Sequence, residues 1–182
     1  LEQKIGGDTT TACRAVAEMV KSSEALTSIN LSYNGLCGLN AFGKGTHTAE
    51  GINAICEALK VSEAVTECNV RGNRLDNESA TALAKVATEK HVMLFGIKHD
   101  QTEADFTDQG LGPVDAILIA SDLRVSETLS TLNVRYNKIG PEGAKAFAAQ
   151  TQATTQAAAH EARNQSTSIH CEAGGVATGR QH

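Results

Sequence analysis

The 182-residue sequence contains no tryptophan, two tyrosines and four phenylalanines. So sparse an aromatic complement leaves little to stack on nucleic-acid bases or to line an aromatic binding box. Proline is also scarce, and Pro113 and Pro141 each stand at the start of a helical run, where a missing amide hydrogen costs little. The five cysteines (Cys13, Cys37, Cys56, Cys68 and Cys171) are odd in number and form no C-x-x-C, which spells out neither a disulfide framework nor a zinc site. No apolar run approaches the ~18 residues of a membrane span. The 21 acidic and 16 basic residues are spread along the chain to a net −5, so no basic arm marks nucleic acid or anionic lipid as a partner.

What is present is enough apolar residue, 41 %, to bury a core, together with internal repetition. Four segments share one frame: L26-T-S-I29-N-L31-S-Y-N34-G-L36, V65-T-E-C68-N-V70-R-G-N73-R-L75, V92-M-L-F95-G-I97-K-H-D100-Q-T102 and L129-S-T-L132-N-V134-R-Y-N137-K-I139. Apolar residues or cysteine fill positions 1, 4 and 6, and Asn or Asp fills position 9. Alternation in the middle of each segment predicts a short half-buried strand. The runs "GINAICEALKVS", "ESATALAKVATE", "PVDAILIASDLRVS" and "PEGAKAFAAQ" carry apolar residues at three- and four-residue intervals and predict helices between the strands. Strands joined through helices run parallel. Cys56 and Cys68 take places where a small apolar residue belongs, which predicts reduced core thiols and an intracellular, cytoplasmic setting.

The spacing L-x-x-L-x-L-x-x-N-x-L resembles that of leucine-rich repeat proteins, and the long helical units are most similar to the ribonuclease-inhibitor type. The resemblance implies an α/β solenoid, a curved horseshoe segment with a parallel sheet on the concave side and helices on the convex side. It also implies a ladder in which Asn34, Asn73, Asn137 and, in the same role, Asp100 satisfy backbone groups where each strand turns away. The array is expected over residues 1–150, as about four repeats plus a partial N-terminal one in which Ile5 and Gly6 align with Ile139 and Gly140. Leu1 would then fall inside a strand whose beginning is absent, which predicts either a fragment of a longer array or a sequence read from an incomplete transcript. Residues 151–182, rich in Ala, Thr, Gln and Gly, show no frame and are expected to be a largely disordered tail, with a short helix over 151–163.

Candidate binding residues follow from the frame. Position 5 (Asn30, Asn69 and Asn133) and position 7 (Arg71, Lys98 and Arg135) face the open side, with Tyr33, His99 and Tyr136 at position 8. Three cations on adjoining strands form either a stripe for a partner with an acidic surface or a solvated face. Two longer segments, 37–48 with Lys44 and His47 and 102–112 with Glu103, Asp105 and Asp108, are placed between strand and helix on one rim. They read either as binding loops or as tolerated insertions.

Catalytic patterns are weak. G38-x-x-x-x-G43-K44 approaches a phosphate-binding loop, but Gly45 stands where the magnesium-binding Ser or Thr belongs. The six histidines show no metal-ligand spacing, and no Cys–His pair is singled out. The sequence therefore reads as a non-catalytic protein-binding module without cofactor or metal, possessing no membrane span and acting as a subunit of a larger assembly. The alternative, also carried by the resemblance, is a GTPase-activating protein of the Ran-activator type, although no functional position of that family can be placed on this chain.

Overall fold

The computed structural model describes residues 9–39, 44–158 and 168–170. Within them helices and short strands alternate: α1 (Thr9–Ser22), β1 (Ser28–Asn30), α2 (Glu50–Val61), β2 (Glu67–Asn69), α3 (Asn77–Lys90), β3 (Glu103–Asp105), α4 (Pro113–Val125), β4 (Thr131–Asn133), α5 (Gly140–Ala158) and β5 (Ser168–His170). The strand pairs are parallel, β1 with β2, β3 with β4, and β4 with β5, as the intervening helices require. The helices pack in chain order, each against the next. This is a mixed α/β fold with the alternating strand and helix of the expected repeat.

Local chemistry explains the helix boundaries. Asp76 precedes α3 and accepts a hydrogen bond from the Ser79 amide at 2.7 Å, a side-chain cap on donors that the helix itself cannot satisfy. Pro113 opens α4, and the Asp115 carboxylate reaches back to accept from the Gly112 amide at 2.8 Å. The core forms where strand and helix faces meet. Ile29, Cys68, Phe95 and Leu132, expected along a shared interior, are all buried, and so are Ile55, Leu83, Ile119 and Phe147 from the helices.

The asparagine ladder forms at two of its expected rungs. The buried Asn73 accepts from the amides of Asn34 at 2.9 Å and Leu36 at 3.2 Å, and donates to the carbonyls of Leu31 at 2.8 Å and Val70 at 2.7 Å. Asn137 repeats the pattern, accepting from Gln109 and Leu111 and donating to Phe106 and Val134. Each amide thus ties its own repeat to the preceding one.

The third expected repeat is corrected by the structure. Val92 to Phe95 and Ile97 are buried as the frame requires, but residues 92–102 form no strand there. Met93 makes an isolated parallel bridge to Glu67, with the amides of Cys68 and Val70 donating to Met93 and Leu94. The strand lies further on, as β3, where Ala104 stands opposite Leu132. Asp100 is exposed and holds no ladder place; Gln109 stands at the equivalent position instead. The physical reason lies in α4. Asp122, wholly buried, takes the Leu94 amide at 2.5 Å and the Phe95 amide at 2.8 Å, removing donors that a strand ladder would use.

Two consequences follow for the array. The sheet divides into β1–β2 and β3–β4–β5. The longer segment expected over 102–112 contains β3 itself, so the extra residues lie between α3 and β3; the segment 37–48 does fall between β1 and α2, as expected. Of the partial N-terminal repeat, residues 1–8 lie outside the described residues, and its helical part is α1. Within the segment expected to be a tail, α5 runs on to Ala158 and Ser168–His170 pairs with β4, while 159–167 and 171–182 lie outside the described residues.

The corrected frame is testable by contrast. Asn73→Ala should lower the unfolding free energy by about 2–4 kcal/mol, because it strands several buried backbone groups. Asp100→Ala, at an exposed turn, should change it by less than about 0.5 kcal/mol. Urea denaturation of both variants measures the difference.

Candidate partner-binding surface

Three-residue strands end in turns, and the turns decide what the strand face presents. After each strand the backbone enters the left-handed region, at Tyr33 (φ 57) and Gly35 (φ 67), at Gly72 (φ 73) and Arg74 (φ 53), at Asp108 (φ 53) and Gly110 (φ 67), and at Tyr136 (φ 58). Glycine is the residue that adopts this conformation without steric penalty, and a bulky side chain there is unusual. Tyr33 and Tyr136 are nevertheless 67 % and 70 % exposed. The Tyr33 ring lies across Gly72, where a Cβ would approach its carbons to 2.4 Å.

The position-5 side chains are occupied by these turns. Asn30 accepts from the Ser32 amide at 3.0 Å, Asn69 from Arg71 at 3.1 Å, and Asn133 from Arg135 at 3.2 Å. Asp105 belongs to the same set: placed on a rim loop by the sequence, it sits in β3 and accepts from the Thr107 amide at 2.8 Å. Hydrogen bonds from Thr107 hold its carboxyl below the ordinary aspartate value. Each of these side chains stabilises the turn two residues ahead.

The expected stripe of cations on adjoining strands does not assemble in that form. Arg71 follows β2 and Arg135 follows β4, and both β3 and the 91–102 segment intervene between them in the chain. The Arg71 guanidinium lies 5.3 Å from the Phe95 ring centre and 5.7 Å from that of Phe106, and donates to the Gln109 side chain at 2.5 Å. The two rings meet edge to face at 5.3 Å. Lys98 forms an ion pair with Glu67, which also accepts from Ser28 at 2.9 Å. Burial raises the Glu67 carboxyl, but the bonds from Lys98 and Ser28 outweigh it and leave the carboxyl below its ordinary value. The His99 ring meets the Thr66 carbonyl at 3.1 Å, and Arg135 lies 5.5 Å from the Tyr136 ring centre. Lys98 and His99 therefore gather against the β2 edge, whereas Asp105, Asn133, Arg135 and Tyr136 gather at β3–β4.

Beyond the turns lies the rim. His47 pairs with Asp76, the cap of α3, at 3.4 Å, which docks its loop on the next repeat, and Lys44 is exposed on the same loop. A groove of about 460 Å³ opens here between Tyr33, Leu39, Gly72, Leu75, Val114 and Leu118. Sequence reasoning missed three of the residues that shape this surface: Phe106, Gln109 and Asp122. A second register of the frame, Q101-T-E-A104-D-F106-T-D-Q109-G-L111, carried the signal for the first two. A single acid inside the otherwise apolar run "AILIASDL" carried the signal for the third.

Chemistry of the catalytic kind finds little support among the described groups. Burial pushes the Cys37 and Cys56 thiols up to about 11 and the Cys68 thiol up to about 12, far from the thiolate that a nucleophile needs. Among the described residues no group of His, Cys, Asp and Glu could hold a metal ion, and no helix is long and apolar enough to cross a membrane. The phosphate-loop pattern folds back on itself through an antiparallel bridge between Leu39 and Gly45, with Gly43 outside the described residues.

With the geometry in view, comparison with known proteins adds one finding. A family model described as a leucine rich repeat matches residues 125–148, from the end of α4 through β4 into α5. Curated proteins give no match to the chain.

The contact between Tyr33 and Gly72 generates a test. Gly72→Ala should destabilise by roughly 1–3 kcal/mol, through its left-handed φ and the collision with the tyrosine ring. In a Tyr33→Gly background about 0.5–1 kcal/mol of that loss should be recovered, since the collision is then absent. A double-mutant cycle on the four proteins measures the coupling.

Proposed function

We propose that this protein is a non-catalytic interaction module, a leucine-rich repeat array of the ribonuclease-inhibitor-like type. In this reading the polar face of the strands is the inner side of a curved array, and a protein partner seats against it and against the adjoining rim. One observation carries the proposal. Two tyrosines are kept exposed in a backbone conformation that Gly72 fills at the equivalent turn without a side chain. A left-handed residue other than glycine costs on the order of 1 kcal/mol. Exposed aromatic side chains at such a cost, on turns that neighbouring side chains already brace, have the character of binding anchors.

The other candidate residues take graded roles. Arg135, beside Tyr136, Lys44 and His47 on the rim, and the groove behind Tyr33 extend the proposed surface. Asn30, Asn69, Asn133 and Asp105 shape its turns. Arg71, Lys98 and His99 have engagements within the protein, so a partner with an acidic surface is a weaker element of this reading than the tyrosines. The match of a leucine rich repeat model to residues 125–148 supports a repeat of the class whose members generally bind other proteins.

Tyr33→Gly combined with Tyr136→Gly tests the proposal. The double variant should melt within a few degrees of the parent, because glycine suits both turns. Used as bait beside the parent, it should lose at least tenfold of any specifically retained partner, measured by quantitative mass spectrometry and then by the dissociation constant of the purified pair. Retention unchanged by the two substitutions would remove the tyrosines from the interface and the proposal with them.

A further inference from the structure

At the joint between the two sheets lies one buried acid. Residues 91–102 leave α3, touch β2 through Met93, and reach β3 without an intervening helix. Asp122, in the last turn of α4, faces this passage and is 0 % exposed. Its two carboxylate oxygens accept from the amides of Leu94 at 2.5 Å and Phe95 at 2.8 Å. Phe95 in turn meets Phe106 and supports Arg71, whose bond to Gln109 links the turn after β2 to the turn after β3.

The charged groups on the surrounding elements are directed elsewhere. On α3, Lys90 pairs with Glu63 at 2.8 Å, while Lys85 and Glu89 line an outer groove together with Arg124 of α4. Asp115 of α4 accepts from Gly112, and on α5 Lys145 pairs with Glu142 at 2.7 Å. On the passage itself Lys98 pairs with Glu67, the His99 ring meets Thr66, and His91 and Asp100 are exposed. Among the described residues no ion pair reaches Asp122, so its ionised form is held by two amide dipoles against complete loss of water.

We propose that Asp122 is a proton-controlled latch that fastens residues 91–97 to α4, and that ionisation of its carboxyl makes the joint between the two sheets open more readily. Opening admits water to the carboxyl and so relieves the desolvation that a buried charge suffers. Burial pushes the closed-state carboxyl up to about 7, opposed in part by the amides of Leu94 and Phe95. A hydrated aspartate titrates near about 3.9. The closed joint therefore binds the proton more tightly than the open one. Its extra stability is complete below about pH 4, declines as pH rises, and is gone above about pH 7.

Hydrogen exchange at the Leu94 and Phe95 amides, corrected for the intrinsic pH dependence of exchange, reads the latch directly. Protection of these amides should fall by up to tenfold per pH unit between about pH 5 and 7 and level off above, because one proton is linked to opening. In Asp122→Asn the same amides should show no such slope. A flat profile in the parent, or an identical slope in the variant, would overturn the proposal. If Asp122→Asn fails to fold, the carboxyl carbon of Asp122 followed by NMR in the parent decides instead. A midpoint near neutrality is the expected result, and one near pH 4 refutes the latch.

Discussion

The side chain of Asn73, shut away from water, bonds two amides and two carbonyls of successive repeats, and this is what allows strands of only three residues to stack. Such strands supply few ladder bonds of their own, and their ends would leave polar backbone facing a hydrophobic interior. An asparagine offers two donors and two lone pairs on one planar group, enough to serve both repeats at once. Where the ladder is complete, as at Asn73 and Asn137, neighbouring strands hold register. Where it is interrupted, before β3, the sheet divides.

That constraint also sorts the polar surface. Side chains at position 5 serve the turns that follow them, so Asn30, Asn69, Asp105 and Asn133 are parts of the scaffold before they are anything else. Glycine at position 8 of one repeat makes room for a tyrosine from the one before. Beside these braced turns the rings of Tyr33 and Tyr136 stay largely exposed, while His47 on the rim is engaged with Asp76. The described thiols, Cys13, Cys37, Cys56 and Cys68, are buried by the packing that makes them core residues.

Irregularity is concentrated at the passage from α3 to β3. There a helix supplies, through one carboxylate, the hydrogen bonding that a regular repeat would draw from its neighbour. A carboxylate at that place has a property that an asparagine lacks, since its acceptor strength and its cost of burial both depend on a proton. The rungs at Asn73 and Asn137 are independent of pH, whereas the joint between them is not.

Periodicity in the sequence determined a great deal: α2, α3 and α4 lie within a residue of the helical runs read from it, β1, β2 and β4 fall on their frames, and Asn73 and Asn137 hold the rungs assigned to them. Those features depend on side-chain spacing and on local backbone chemistry, which a linear pattern carries. The course of the chain from 91 to 111 was decided only in three dimensions. Two overlapping registers compete there, and the one with the stronger apolar pattern, around Phe95, is not the one that pairs with β4. Ala104 and Gln109 look unlike Leu and Asn in a sequence, yet they hold the strand because Asp122 takes the amides of the rival segment, 28 and 27 residues before it. A hydrogen bond between distant residues leaves no period in the chain, so its outcome becomes legible only when the helix and the strand lie side by side.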